Sequence, residues 1–301
     1  MTPISEPGIY PPAQIDIEDY HSQRCCAGPS VSSSTLRTML RECPAKVWAF
    51  SDLNPDRLVR PWKESFDFGR AAHALVLGEP EFNAKFVLSQ YDNFRTKDSQ
   101  IWREEQTRQV VRKEDMPVIE LMASAQRAAP QVARAFSEGK PEMSVIWKDE
   151  ETGIFVKTRP DWLPDFPALR FIAEYKTCLS IEPRKLSIDV FKYGYEIQAA
   201  MCLDAIEIVT GKKPLGIAHI CQEKDAPYLC DMRLFTEEQI AFGRMEYRRA
   251  LQLFARCLDS GKWPGYTAEP QYFDTPVWIN RMMENFDEYD ASQLTHTWER
   301  L

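Results

Sequence analysis

The stretch from Phe171 to Cys178 reads Phe-Ile-Ala-Glu-Tyr-Lys-Thr-Cys, a β-forming run interrupted by an acid and a base two positions apart. Alternate residues of a strand share a face, so Glu174 and Lys176 point one way and Tyr175 the other. The apolar start of the run belongs in a core, where a charge is costly unless something compensates it. Thirteen residues before Glu174 stands Asp161, in Arg159-Pro160-Asp161, and the turn signal LPDFP lies between them. A reversal there brings Asp161 beside Glu174 and Lys176. Two neighbouring carboxylates repel unless a cation sits between them, and hard oxygen ligands with room for water and phosphate suit Mg²⁺ or Mn²⁺. Such an ion polarises a phosphate and activates a bound water, which Lys176 would orient or deprotonate. A salt-bridged hairpin has the same spacing.

The surrounding pattern is helical first and then mixed. Residues 1–29 are rich in Pro, Ser and acids and read as a flexible N-terminal arm; residues 30–301 read as one domain. Its helical part covers 30–140. A helix starts in VSSSTLRTML, where Ser32 to Ser34 offer capping hydroxyls, and Pro44 marks a boundary. Helical spacing returns from Phe66 to Val87 with a break at Gly78-Glu79-Pro80, and a further helix is expected from Pro117 to Ser137. Residues 89–115 are polar loops and a solvated helix. The core, 141–260, holds three strands in meander order (SVIWKD, TGIFVKTR, ALRFIAEYKTC), then a helix from Ile188 to Val209 closed by Gly211. Strands LGIAHICQ and YLCDMRLF follow, and a long helix with a capping box at Thr236 and Gln239 ends the core. Residues 261–301 form a C-terminal extension. The expectation is an α/β (α+β) fold around one sheet.

Composition excludes several classes. Net charge is −8, with 37 Lys and Arg against 45 Asp and Glu, so overall basicity does not drive nucleic-acid binding. A local basic channel at an acidic metal site remains compatible with it; RLVRPWK (57–63) and YRR (247–249), or Trp62 and Trp102 stacking on bases, are candidates beside their ordinary role as solvated or packed faces. The eight cysteines form no CxxC pair and read as buried thiols. No GxxxxGK[ST], GxSxG or HExxH occurs. No apolar run reaches the ~18 residues of a membrane span, and the N-terminus lacks a secretory pattern, so a cytoplasmic protein without a membrane partner is expected.

Pro160-Asp161 and Glu174-Tyr175-Lys176 resemble the paired motifs of PD-(D/E)XK nucleases. Three further segments look like the RecE-type (exonuclease VIII-like) branch of phages and prophages. FGRAAHALVLGEP is similar to its G-x-x-x-H helix, with Gly69 and His73; YGYEIQAAMCLDA is similar to its Y-x-x-Q helix, with Tyr195 and Gln198. SSSTLRTMLRECPAKVW looks like the opening segment, and FDTPVWI is a weaker echo near the C-terminus.

The resemblance implies a restriction-endonuclease-like core, a central mixed sheet flanked by helices. It implies Asp161 and Glu174 as metal ligands with the Tyr175 carbonyl, His73 as a further ligand or neighbour, and Lys176 as the catalytic lysine. Tyr195 and Gln198 would steady Lys176 or a DNA phosphate, and Glu142 matches an acid carried by some members. It further implies two Mg²⁺ or Mn²⁺ ions and processive 5′ to 3′ degradation of linear double-stranded DNA. A homo-oligomeric ring would carry this out, handing 3′ tails to a single-strand annealing recombinase. Two alternatives stand beside it. A Cas4/AddB-like repair nuclease needs an iron-sulfur cluster built from one upstream cysteine and a downstream trio, whereas only Cys257 lies beyond residue 230. A non-catalytic DNA-binding scaffold would have no reason to keep Asp161, Glu174 and Lys176 together.

Overall fold

Far from forming an arm, the first thirty residues carry enough apolar surface to fold. They contain β1 (Gly8–Tyr10), α1 (Ile17–His21) and β2 (Ser30–Ser32). Ile15 and Cys25 are fully buried and pack with Ile4, Tyr20 and Cys26 against Ile146 and Phe155, and Asp16 caps α1 by accepting from the Asp19 N–H. These elements belong to the computed structural model of the chain, which describes residues 2–59, 65–165, 171–267 and 269–284. Deleting residues 2–29 is therefore expected to lower the thermal midpoint and cause aggregation, since it bares a strand edge; calorimetry and size-exclusion chromatography measure both.

Helices follow where the spacing predicts, with differences at caps and breaks. α2 (Ser33–Arg41) begins after Ser32, whose hydroxyl meets Ser34 Oγ at 3.0 Å instead of capping a helix N–H. α3 (Pro44–Ala49) has its proline in the first turn. α4 (Ser65–Leu77) stops at Gly78, whose φ of 137° suits a residue without a side chain, and α5 (Glu79–Lys85) restarts on Pro80. The polar region holds β3 (Phe86–Leu88), α6 (Lys97–Glu104) and β4 (Gln109–Val111), with β3 and β4 pairing in parallel. The single helix expected over 117–137 is two, α7 (Met116–Ala128) and α8 (Pro130–Ala135), because Pro130 has no N–H to continue the ladder. Trp102 packs edge-on against Tyr91. Trp62 and most of 57–63 lie outside the described residues.

The expected meander is divided between two sheets. β5 (Gly139–Pro141), β6 (Ser144–Lys148), β7 (Phe155–Thr158), β8 (Trp162–Pro164) and β9 (Phe171–Cys178) come in succession. β6 and β7 lie in a sheet of order β1-β6-β7-β2, whereas β8 and β9 join a second sheet. The chain changes sheets at Arg159-Pro160-Asp161, where proline cannot donate to a ladder. Arg159 holds the crossing in place by donating to Ser144 Oγ and the Ile15 carbonyl. Of the turn LPDFP, residues 166 and 167 fall outside the described residues.

The expected helix over 188–209 is also interrupted. α9 (Pro183–Lys192) and α10 (Tyr195–Thr210) are separated by Gly194 in the left-handed region, and Gly211 closes α10. These two helices form the crossover that lets β10 (Gly216–Glu223) lie parallel to β9. β11 (Cys230–Leu234) returns antiparallel, and α11 (Glu237–Ser260) starts at the Thr236–Gln239 capping box. The second sheet has the order β11-β10-β9-β8-β5 and is mixed, as expected. α10 packs Ile197, Met201 and Ile206 against Ile172 and Ile217 on one face of it, and reaches Val145 and Val156 of the other sheet. On the opposite face Ala173, Tyr175, Ala218 and Ile220 meet Val132 of α8. Residues 264–301 form a separate unit containing α12 (Val277–Glu284), within which FDTPVWI falls.

Candidate active site

Backbone geometry decides where the charged strand faces. Register pairs Glu174 of β9 with His219 of β10, and His219 with Arg233 of β11, so the three share one face in a row. Tyr175 lies on the other face, buried, and its hydroxyl pairs with Gln222. Asp161, just before β8, reaches β9 through its side chain: the Tyr175 N–H donates to Asp161 Oδ2 at 2.6 Å, and the Asp161 N–H donates to Glu174 Oε2 at 3.2 Å. A strand residue's N–H and carbonyl leave from the same edge, so the Tyr175 carbonyl is on the Asp161 side.

The structure brings every residue of the expected set to this spot. Lys176 Nζ donates to Glu174 Oε1 at 2.8 Å and lies 5.2 Å from the centre of the Tyr195 ring. Gln198 Nε2, one turn along α10, donates to the same Glu174 oxygen. His73 of α4 places Nε2 2.9 Å from Asp161 Oδ1. Gly69, one turn earlier, passes Thr177 with only van der Waals room for a Cβ, so the helix lies close to β9. Glu142 donates its N–H to the Asp161 carbonyl and pairs its carboxylate with Lys85, so it supports the site from behind.

The electrostatics are those of a crowded acid pair. Burial and the Asp161 charge push Glu174 above the usual carboxylate range, against the pull of Lys176. Burial also opposes ionisation of Asp161, but His73 and Lys176 outweigh it and hold Asp161 low. Lys176 is raised: burial would lower it, yet Glu174 and Asp161 prevail, so the ammonium is kept charged. His73 is raised by Asp161 in spite of its burial.

The buried Glu174 and half-buried Asp161 carboxylates, with an adjacent carbonyl edge, fit a hard divalent cation, whose charge would relieve their repulsion. The expected ligand set is assembled only in part: the His73 ring engages Asp161, and no group of three His, Cys, Asp or Glu side chains converges as a metal cluster among the described residues. The eight cysteines are free thiols, dispersed through the fold and mostly buried, which gives the iron-sulfur alternative no support.

Behind the site, α10 is fixed by charges that its sequence pattern conceals. Arg41 of α2 bridges Glu196 (2.8 Å) and Glu246 (2.7 Å), and Arg244 of α11 clasps Asp204, which also accepts from the Tyr247 hydroxyl. Burial, together with the neighbouring Glu246, pushes the Glu196 carboxyl up to about 7. A folded-state value raised above the ordinary 4.5 of a glutamate stabilises the fold most at low pH. Stability is thus expected to decline as pH rises from 4.5 through 7, and Glu196→Gln to flatten that decline in urea titrations. His219, also missed as a site neighbour, carried the same signal as Glu174: a polar residue inside the apolar strand LGIAHICQ.

A mixed sheet carrying a PD motif at the entry to one strand and ExK on the next, with helices on both faces, defines a PD-(D/E)XK core. The chain belongs to the family described as PDDEXK-like domain of unknown function (DUF3799), whose model matches residues 32–276. No curated protein matches it. Among solved structures it is similar to a protein from Eubacterium rectale described as a "putative exonuclease", at 12% identity and a TM-score of 0.59, covering 89% of this chain and 98% of that one. Among the described residues no helix is long and apolar enough to cross a membrane.

Proposed function

We propose that this protein is a Mg²⁺- or Mn²⁺-dependent exodeoxyribonuclease that degrades linear double-stranded DNA from 5′ to 3′. The observation that carries the reading is the buried convergence of Asp161, Glu174 and Lys176, with Gln198 on Glu174 and Tyr195 under Lys176. Asp161 and Glu174 would hold the metal, on two ions in the family pattern, with the Tyr175 carbonyl beside them. When bound, the metal polarises the scissile phosphate and supplies a water of lowered pKa. Lys176 stabilises the charge that develops on the phosphate and orients the attacking water. Gln198 fixes the Glu174 carboxylate, Tyr195 steadies the ammonium through its ring face, and His73 holds Asp161. The 5′ to 3′ polarity, a homo-oligomeric ring, a cytoplasmic setting in a bacterial or phage-infected cell, and transfer of the 3′ tail to an annealing recombinase rest on the RecE-type resemblance.

Digestion of a linear duplex labelled at one 5′ end, with Mg²⁺, tests the proposal. Early release of label as short products is expected; release of label only at the end of digestion would reverse the polarity. Absence of cutting with either Mg²⁺ or Mn²⁺ would sink the nuclease reading. In that case, failure of Mn²⁺ to bind at Asp161 and Glu174 by titration calorimetry would favour the scaffold.

A further inference from the structure

The row Glu174–His219–Arg233 continues from the active site to a cavity of about 140 Å³ between α9 and strands β10 and β11. Its walls are Leu186, Val190, Phe191 and Phe235, and it is floored by His219 and Arg233. His219 is 3% exposed, and neither ring nitrogen has a hydrogen-bond partner; Arg233 Nε is likewise buried and unpartnered. Buried polar groups left without partners are costly, so the cavity suits something that bonds to them. The Tyr195 ring stacks on His219 at 5.8 Å and 12°, while Phe235 stands edge-on to it at 5.1 Å. The Tyr195 ring also lies under Lys176, so one aromatic ring links the cavity residue His219 to the carboxylate site.

The chemistry selects the ligand. The His219 imidazole, enclosed and with both ring nitrogens unpartnered, offers in its neutral form one donor and one acceptor and no charge. The guanidinium of Arg233 is already paired with Asp231 at 2.6 Å. An anion thus gains little here, whereas a flat ring with a donor and acceptor edge matches both the polar atoms and the aromatic walls. A cavity of ~150 Å³ is known to take up benzene, so one six-membered ring fits. We propose that this cavity binds the single-ring base of an unpaired nucleotide at the end of the DNA strand being cut. The inference rests on the nuclease reading for the origin of the base, and on the cavity alone for the base itself.

The first test uses the ¹⁵N-labelled full chain in chelator, following the His219 ring signals by NMR during titration with thymidine, deoxyadenosine and deoxyribose. Thymidine is expected to shift them saturably with an affinity on the order of millimolar, deoxyadenosine more weakly, and deoxyribose not at all. Ser187→Trp, at an exposed residue of the cavity mouth, is expected to abolish the shift. His219→Phe keeps the stacking face and should weaken thymidine binding about tenfold, read from the remaining cavity signals. No shift with thymidine, an equal shift with deoxyribose, tighter deoxyadenosine binding or an unchanged response in Ser187→Trp would each overturn the proposal. The second test compares cleavage of duplexes ending in unpaired pyrimidines or purines. Wild type should prefer pyrimidines and Ser187→Trp should not; equal rates in wild type overturn the assignment to the cut strand. Thymidine binding by a protein that cuts no DNA would refute the nuclease reading and leave the base site standing.

Discussion

Lys176→Ala is expected to reduce duplex cleavage by at least about 10²–10³-fold, the scale seen when one preorganised charge-stabilising donor is removed from an active site. The reason is geometric as well as electrostatic. The ammonium is held by Glu174 at 2.8 Å and by the Tyr195 ring, and among the described residues no other lysine or arginine pairs with Glu174 or Asp161. Removing it also leaves Asp161 and Glu174 facing each other with less compensation, and Glu174 should become still harder to ionise. Metal affinity is therefore a separate readout. If Lys176→Ala binds Mn²⁺ as well as wild type by calorimetry but fails to cut, the lysine serves the chemical step. Retention of the full rate would remove it from the mechanism altogether.

Gly243→Ala is the substitution with the largest expected effect on stability, and its sign runs against helix propensity. Alanine in mid-helix is favoured over glycine by about 1 kcal/mol. Here, however, a Cβ would stand 2.2 Å from the Glu196 carbonyl oxygen, a backbone atom of the neighbouring helix that has no rotamer to escape into. The helices α10 and α11 must separate, at a cost of about 1–3 kcal/mol beyond the lost propensity gain. A thermal midpoint lower on the order of 5 °C is expected. Because Glu196 lies between Tyr195 and Gln198, the same shift disturbs how both are placed against Lys176 and Glu174, and cleavage should fall with stability. A variant that is more stable than wild type would show that the helices have room to part.

How much of this was legible in the sequence follows from the range of the interactions. Asp161, Glu174 and Lys176 were readable because charge inside an apolar strand has few explanations, and strand periodicity alone puts Glu174 and Lys176 on one face. The breaks at Gly78 and Gly211 were readable because they are local backbone events. Pro130 and Gly194 carried the same local signal, yet helical periodicity on either side of them masked the interruption. The division of the meander into two sheets could not be read, because β6 and β7 have the same alternation whichever sheet they join. The N-terminal segment misled for a related reason. Its polar composition hides Ile15 and Cys25, whose burial depends on Ile146 and Phe155 more than a hundred residues away. Glu196 and its guanidinium partner Arg41 were likewise invisible, since a buried acid in a helix declares nothing until its partner on another helix is placed.

That same separation sets the order in which the molecule is built. β1 and β2 leave the ribosome well before their partners β6 and β7, which emerge more than a hundred residues later. The loop-closure cost is paid before these pairings are rewarded, a topology that slows folding. During synthesis the opening segment must therefore wait as an unpaired strand pair, exposed to other nascent chains. Only when Arg159 arrives to clasp Ser144 and the Ile15 carbonyl does the first sheet close, and the next residues delivered are Pro160 and Asp161. The residues that close the N-terminal sheet and Asp161, the first carboxylate of the proposed metal pair, are thus neighbours in the chain, so the sheet's closure and the placing of that carboxylate are coupled.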